Sequence, residues 1–186
     1  MLPLSSSGRH WLLGVARDSL EAAACGSSYE APRVPAELAA ADHVELDRPR
    51  AAFVTLHEEN RLRGCVGHTD AELPLRVVVA EMARAAALED TRFPTVAPEE
   101  VPRIELEISV LSDLFPISPD QIVPGTHGLL VRRGLRRGLL LPQVATAYDW
   151  DSRKFLEETC RKAGLPANAW KHGAHIEAFT ADLIHE

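Results

Sequence analysis

The segment RLRGCVGH, residues 61–68, combines residue types that could support thiol chemistry. In a β-strand, its alternating side chains would point to opposite faces. One face would hold Arg61, Arg63, Cys65 and Gly67, and the other would hold Leu62, Gly64 and Val66. Glycine weakens a strand and usually marks the close approach of another group, so Gly64 and Gly67 indicate a ligand or a neighbouring backbone here.

Cys65 has two interpretations that the sequence leaves open. As a catalytic nucleophile, it would have a thiol pKa lowered by Arg61 or Arg63 and would be partly thiolate near neutral pH. As a core residue, it would be a small packed side chain, since free cysteine is among the most buried residue types. The glycines and the arginine on the same face support the catalytic interpretation without deciding it.

Arg63 is a candidate ligand-binding residue, because a guanidinium beside a glycine-opened backbone can hold a carboxylate or phosphate with two hydrogen bonds. The alternative is an internal ion pair with Glu105 or Glu107, which alternate with apolar residues in the run RIELEISVLSDL. Two carboxylates on one face could support acid–base chemistry, with Glu107 as the better catalytic candidate. They could equally form the solvated face of a half-buried strand.

His127 lies in the glycine-flanked run GTHG, residues 125–128. A histidine in such a loop suits a catalytic base that reaches into a cleft, and it could also be a turn residue that packs locally. It would form a thiol–histidine couple with Cys65 only if the fold brings the two side chains within hydrogen-bond distance.

Two further residues are candidate ligand contacts. Arg92, in the run EDTRFP, could be a second anion anchor. The competing interpretation is an ion pair with Asp90 that stabilises the loop, with Phe93 placed in the core. Gln143 begins a short helix after Pro142, where its amide could reach either a ligand or a helix terminus.

The composition bounds the class of protein. The chain has 186 residues, of which 46% are hydrophobic and 25% charged, as is typical of a folded globular domain. Its net charge of −7 argues against a general nucleic-acid binder, which carries a basic surface. The one dense basic cluster, VRRGLRRG at residues 131–138, could contact nucleic acid or an acidic partner, or could be a solvated hairpin tip.

Metal and disulfide chemistry have little support in the sequence. Three scattered cysteines form neither a disulfide framework nor a CxxC pair. The His-x-x-His spacing in HGAHIE, residues 172–177, has no further placed ligands, so we expect a surface segment and no metal site. The chain has no signal-peptide pattern and no run that approaches the ~20 apolar residues of a membrane span, which predicts a soluble cytoplasmic protein without membrane contact.

The periodicities predict an α+β fold with a mostly antiparallel sheet packed by helices. Helices are expected at residues 8–25, 73–88 and after Asp151, which caps the third of them. Strands are expected at residues 53–57, 61–67, 128–132 and 136–141, the first two forming a hairpin. The clearest strand is expected within RIELEISVLSDL, residues 103–114. Residues 26–50 should be largely irregular, with one helical turn near PAELAA.

Six separated stretches occur together in an order that resembles the AMMECR domain family, whose prokaryotic members are also called AmmeMemoRadiSam system protein A. The stretches are LRGCVG (62–67), EDTRFP (89–94), LEISVLS (106–112), GTHGLLV (125–131), LLLPQVA (139–145) and FLEETCRKAGL (155–165). The resemblance covers residues from about 8 to about 180, which predicts a single AMMECR domain over residues 1–186.

The resemblance implies a fold and partners rather than a reaction. It implies an α+β protein with a larger and a smaller subdomain that share one core, and a cleft near the LRGCxG strand. The family name implies a Memo-like protein and a radical SAM protein as partners. The radical SAM partner would carry its own iron–sulfur cluster, because three scattered cysteines cannot build one, and no cofactor is expected in this chain.

Two hypotheses about function follow. In the first, the protein is a small-molecule enzyme, or an accessory subunit of one, that holds an anionic ligand at Arg63 and carries out chemistry at or near Cys65. In the second, it is a non-catalytic interaction or regulatory module, and LRGCVG only packs beneath a docking surface. Association with nucleic acid through residues 131–138 is a weaker third possibility.

Overall fold

The computed structural model describes residues 4–186 and confirms the predicted α+β class. Its helices are α1 (Ser6–Ala24), α2 (Ala40–Leu46), α3 (Leu75–Leu88), α4 (Pro142–Ala147) and α5 (Ser152–Lys162). Its strands are β1 (Ala52–Glu58), β2 (Arg61–His68), β3 (Ile104–Leu111), β4 (Phe115–Pro116), β5 (Gly128–Arg133), β6 (Arg136–Leu140), β7 (His175–Phe179) and β8 (Ala181–His185). Single turns of 3₁₀ helix occur at Val101–Arg103, Pro119–Gln121 and Ala169–Lys171.

The chain divides into a larger and a smaller compact unit. The first unit comprises the chain up to Val110 together with the C-terminal Asp182–Glu186, and the second unit is Leu111–Ala181. Each unit has its own four-stranded sheet and its own cluster of buried apolar residues. The larger and smaller subdomains are therefore as expected. Their buried apolar residues form two clusters, one in each unit, where one shared core was expected.

The first unit is built on a sheet with the strand order β2-β1-β3-β8. Helices α1 and α3 pack together, and apolar residues of both helices join the inward side chains of β1 and β3 in one cluster. The strand contributions to this cluster include Val54, Leu56, Leu106 and Ile108, all buried. The face of α3 predicted from its periodicity, which includes Val79 and Met82, is buried in the same cluster.

The β1–β2 hairpin contains a bulge at Arg63. Its two-residue turn, Glu59–Asn60, has positive φ at both positions, as a tight hairpin turn requires. His57 pairs with Leu62 and Leu56 pairs with Gly64, so Arg63 has no partner on β1. The bulge resets the alternation and turns Leu62 to the exposed face. The predicted grouping of Leu62 with Gly64 and Val66 is therefore wrong.

The second unit has the strand order β4-β7-β5-β6, with α5 packed on β5 and β6. Asp151 caps α5 by accepting a hydrogen bond from the backbone N–H of Lys154, which confirms the predicted helix start. Phe155 and Cys160 from this helix are completely buried. Gly138 on β6 leaves room for the backbone of Ala163, which lies where a Cβ atom would stand.

The irregular segment contains one short helix near PAELAA, as expected: α2 begins at Ala40, the last residue of that run, and extends to Leu46. The HGAHIE run lies at the surface, as expected, with every residue exposed or half-buried. From His175 onward it forms β7 between β4 and β5, a strand that the periodicities did not predict. Strand β7 is only five residues long and alternates weakly, so its sequence carries little periodic signal.

Replacing Gly64 by Ala tests the close packing of β2 against α3. A Cβ atom at Gly64 would collide with the carbonyl oxygen of Ala86, so G64A should lower the free energy of unfolding by about 1–3 kcal/mol. The control is Gly14, which is exposed in the middle of α1 with open space around it. G14A should stabilise the protein by about 0.5–1 kcal/mol. Urea unfolding of both variants measures the contrast, and equal effects would contradict the packing described here.

Candidate functional site

Four polar side chains lie in a row across the first sheet, on the face opposite the buried cluster. Thr55 on β1 pairs with Cys65 on β2 and with Glu107 on β3, so the three share one face. The hydroxyl of Thr55 donates a hydrogen bond to the Cys65 Sγ at 3.3 Å. His185 on β8 completes this polar row, with its Nδ1 3.5 Å from a carboxylate oxygen of Glu107.

The apolar residues of the strands determine which side chains enter the polar row. Val54 and Leu56 are completely buried on β1, and the period of two then directs Thr55 to the other face. Leu106 and Ile108 do the same for Glu107 on β3. A shift of one residue would place the carboxylate of Glu107 in the apolar cluster in β3 and the hydroxyl of Thr55 there in β1, so burial holds the row in register.

The loop after α3 holds the backbone of Cys65. Because β2 is an edge strand and Cys65 forms a pair that is not hydrogen-bonded to β1, its N–H and C=O point away from the sheet. The N–H donates to Asp90 Oδ2 at 2.8 Å, and Arg92 Nη2 donates to the carbonyl oxygen at 3.3 Å. The two side chains thus take the place of a neighbouring strand.

The same two residues form the ion pair that the EDTRFP run predicts. Arg92 donates to both carboxylate oxygens of Asp90, at 2.9 Å and 2.6 Å. These bonds, together with the N–H of Cys65, lower the pKa of Asp90 to about 2. Phe93 was expected in the core and is only half-buried, with the Arg92 guanidinium 5.5 Å above its ring. Val96 enters the buried cluster instead.

Burial raises the pKa of the Cys65 thiol above its ordinary value, so the thiol is protonated near neutral pH. The hydrogen bond from Thr55 and the positive charge of Arg92 act in the opposite direction. The negative charges of Asp90 and Glu107 reinforce the effect of burial. The neighbouring groups thus shift the pKa of the Cys65 thiol in opposite directions, and desolvation has the largest effect on it.

Neither arginine that was expected to lower the pKa of Cys65 does so, and that expectation is wrong. Arg61 is exposed at the start of β2. Arg63 is buried, and its guanidinium donates to both carboxylate oxygens of Glu100, at 2.8 Å and 3.1 Å. Its remaining hydrogen bonds go to the carbonyl oxygens of Pro94 and Thr95.

The contacts of Arg63 favour the internal ion pair over a ligand site. The pair lowers the pKa of Glu100 and ties the loop after α3 to β2. The partner is Glu100, 37 residues away in the chain, rather than Glu105 or Glu107 on β3. A role for Arg63 in ligand binding stays a prediction, and its donors already have acceptors within the first unit.

Both glycines of the LRGCVG run admit close neighbours from the first unit itself. The carbonyl oxygen of Ala86 on α3 lies against Gly64, and the ring of Phe53 lies against Gly67. The predicted close approach is therefore present and is made by protein atoms. Ligand contacts at these two glycines stay a prediction.

His127 and Gln143 belong to the second unit, so a couple between His127 and Cys65 stays a prediction. The Nδ1 of His127 accepts a hydrogen bond from the backbone N–H of Val123 at 3.1 Å. Its ring packs edge-on against Phe115, with the ring centroids 5.9 Å apart. These contacts match the interpretation of a locally packed turn histidine. Gln143 lies in the first turn of α4.

Sequence reasoning missed two members of the polar row. Thr55 could have been found from the alternation of AFVTL, because it lies between two buried residues. His185 lies in the short strand β8, which carries little periodic signal. Among residues 4–186, no group of three or more His, Cys, Asp and Glu side chains is arranged to hold a metal ion, and no helix is long and apolar enough to cross a membrane.

Replacing Asp90 by Asn tests the support of Cys65 by the loop. Because the pKa of Asp90 is lowered when the protein folds, its stabilising effect is present at neutral pH and is lost as the pH falls from about 4 towards 2. D90N should therefore lower the free energy of unfolding by about 1–3 kcal/mol at pH 7 and by progressively less in acid. Urea unfolding at several pH values measures this. Glu99, which is exposed, gives the control E99Q, and a pH-independent effect of D90N would refute the pairing.

The pH dependence of alkylation tests the environment of the Cys65 thiol. With iodoacetamide and peptide mapping, exposed Cys25 should react fastest, half-buried Cys65 more slowly, and fully buried Cys160 only on unfolding. T55V should raise the pKa of the Cys65 thiol, because it removes a hydrogen bond that favours the thiolate. E107Q should lower it by removing a negative charge, and E105Q is the matched control. An unchanged pH profile of Cys65 alkylation in both T55V and E107Q would contradict the arrangement of these side chains around Cys65 in the polar row.

Comparisons with known proteins identify the family and the fold of the chain. The sequence model of the AMMECR1 family matches residues 13–184. A Methanothermobacter thermautotrophicus protein is 40% identical over 99% of this chain and 97% of its own length, and a Methanosarcina mazei protein is 42% identical over 74% and 72%. A crystal structure described as an uncharacterized protein from Pyrococcus horikoshii has a TM-score of 0.87 and 34% identity, covering 97% of this chain and 92% of that one. The chain therefore belongs to the AMMECR1 family.

Proposed function

We propose that this AMMECR1-family protein is a small-molecule enzyme, or an accessory subunit of one, whose chemistry centres on Cys65 and the polar row. The observation that carries the proposal is the hydrogen bond from Thr55 to the Cys65 sulfur, in line with Glu107 and His185. A thiol, a hydroxyl, a carboxylate and an imidazole on one sheet face are groups that can bind a polar substrate and move a proton.

In this proposal the thiol is protonated at rest and becomes a thiolate only during the reaction. The hydroxyl of Thr55 and the charge of Arg92 favour the thiolate, and burial opposes it. Glu107 takes up the thiol proton, directly or through the Thr55 hydroxyl, and its negative charge is then removed from beside the sulfur. His185 pairs with Glu107 and positions its carboxylate.

Arg92 is the arginine best placed to hold an anionic substrate near Cys65. Its side chain is 52% exposed and its Nη2 is 3.3 Å from the Cys65 carbonyl oxygen, whereas the Arg63 side chain is only 11% exposed. The first hypothesis from the sequence held the anionic ligand at Arg63; in this proposal Arg92, the second anion anchor predicted from the sequence, holds it instead. Asp90 shares the guanidinium and keeps it in position.

The partners in this proposal are the Memo-like and radical SAM proteins that the family name implies. The chain has three cysteines, one exposed, one half-buried and one buried, so an iron–sulfur cluster would belong to the radical SAM partner. The polar row then supplies proton transfer and thiol chemistry to a reaction shared by the three proteins.

The test is a reaction of all three purified proteins with a small-molecule extract of the source cells, followed by mass spectrometry. The wild-type chain should change the level of at least one metabolite, and C65S and E107Q should abolish that change because each removes a reacting group. E105Q, on the same strand and face, should retain it. If the three proteins bind one another equally well with C65S and no metabolite changes, the non-catalytic module is the correct function.

A further inference from the structure

The β5–β6 hairpin ends in a strongly basic tip. Residues 132–137, here called the arginine tip, read RRGLRR and are all exposed. The two-residue turn consists of Gly134, which has a φ of 61°, and Leu135. Four arginines within six residues form the densest positive charge in the chain.

The strand register sets these arginines directly opposite one another. Arg132 pairs with Arg137, and Arg133 pairs with Arg136. Like charges at opposed positions of neighbouring strands disfavour the hairpin, and alternation puts one such pair on each face. Folding alone would favour opposite charges at these paired positions. Two successive arginine–arginine pairs therefore indicate a role other than stabilising the hairpin.

Contacts within the second unit orient the arginine tip without burying it. Arg132 Nε lies 3.1 Å from a carboxylate oxygen of Glu177, and its side chain remains 55% exposed. Arg136 Nη1 donates to the carbonyl oxygen of Gly164 at 2.8 Å. The guanidinium groups are thus held at the surface rather than left to rotate freely, which reduces the entropy lost on binding.

The exposure of Leu135 is a second and independent observation. It lies at the apex of the tip and is fully exposed, the most exposed of the large apolar residues in the described part of the chain. A leucine gains nothing from contact with a phosphate backbone, and residues 131–138 contain no aromatic side chain on which a base could stack. An apolar apex ringed by arginines instead matches a protein interface, where arginine is enriched and an apolar side chain fills a recess.

The charge of the chain is unevenly divided. The second unit has nine Lys and Arg against seven Asp and Glu, whereas the first has eleven against twenty. The net charge of −7 therefore does not describe the surface that the second unit presents. We propose that the arginine tip docks onto an acidic surface of a partner protein, with Leu135 entering an apolar recess of that surface.

The partner is identified with a photoreactive amino acid in place of Leu135 in the full-length protein, irradiated in the source cells. Mass spectrometry of the cross-linked peptides should find one other protein, at a segment rich in Asp and Glu. Cross-links to RNA, to lipid or to a second copy of this chain would overturn the proposal, as would the absence of any reproducible cross-link.

The identified protein is then purified and its affinity is measured by calorimetry against matched variants. R133E/R137E turns both opposed pairs into opposite-charge pairs, so the hairpin should stay folded while affinity falls at least about tenfold and depends less on salt. L135S should weaken binding without changing its salt dependence. R153E/R161E makes the same charge change on α5 and should alter affinity by less than about twofold. Equal losses in the two double variants would overturn the proposal.

Discussion

The structure of the candidate site depends on the hydrogen bonds that Asp90 and Arg92 make to the backbone of Cys65. An edge strand presents N–H and C=O groups that need partners, and here a loop provides them in place of another strand. The loop is held in turn by the Arg63–Glu100 pair. Helix α3, the loop and β2 consequently fix the position of the Cys65 thiol together, and a change in any of them moves the sulfur.

Much of the fold could be predicted from local periodicity. The buried face of α3, the alternation of β3 and the cap at Asp151 are properties of short stretches, and the structure confirms them. The bulge at Arg63 could not be predicted, because an extra residue in a strand depends on the partner strand as well as on its own sequence. The short strands β7 and β8 carry too few alternating residues to be recognised.

The candidate site was predictable in part. Alternation along separate strands puts Cys65 and Glu107 on outward faces, but only the pairing of both strands with β1 aligns them with Thr55. The direction of the thiol pKa depends on burial in the folded unit, which no motif reports. The structure relates two of the stretches physically, since LRGCVG provides the strand edge and EDTRFP supplies the side chains that bind its backbone.

The protonated state of the Cys65 thiol has a consequence for the lifetime of the site. Peroxides attack thiolates far faster than thiols, so a thiol whose pKa is raised by burial is oxidised slowly near neutral pH. A site that ionises its sulfur only in the presence of substrate would therefore stay reduced between turnovers without a second cysteine to rescue it. Chemical durability and low resting reactivity would then have the same cause.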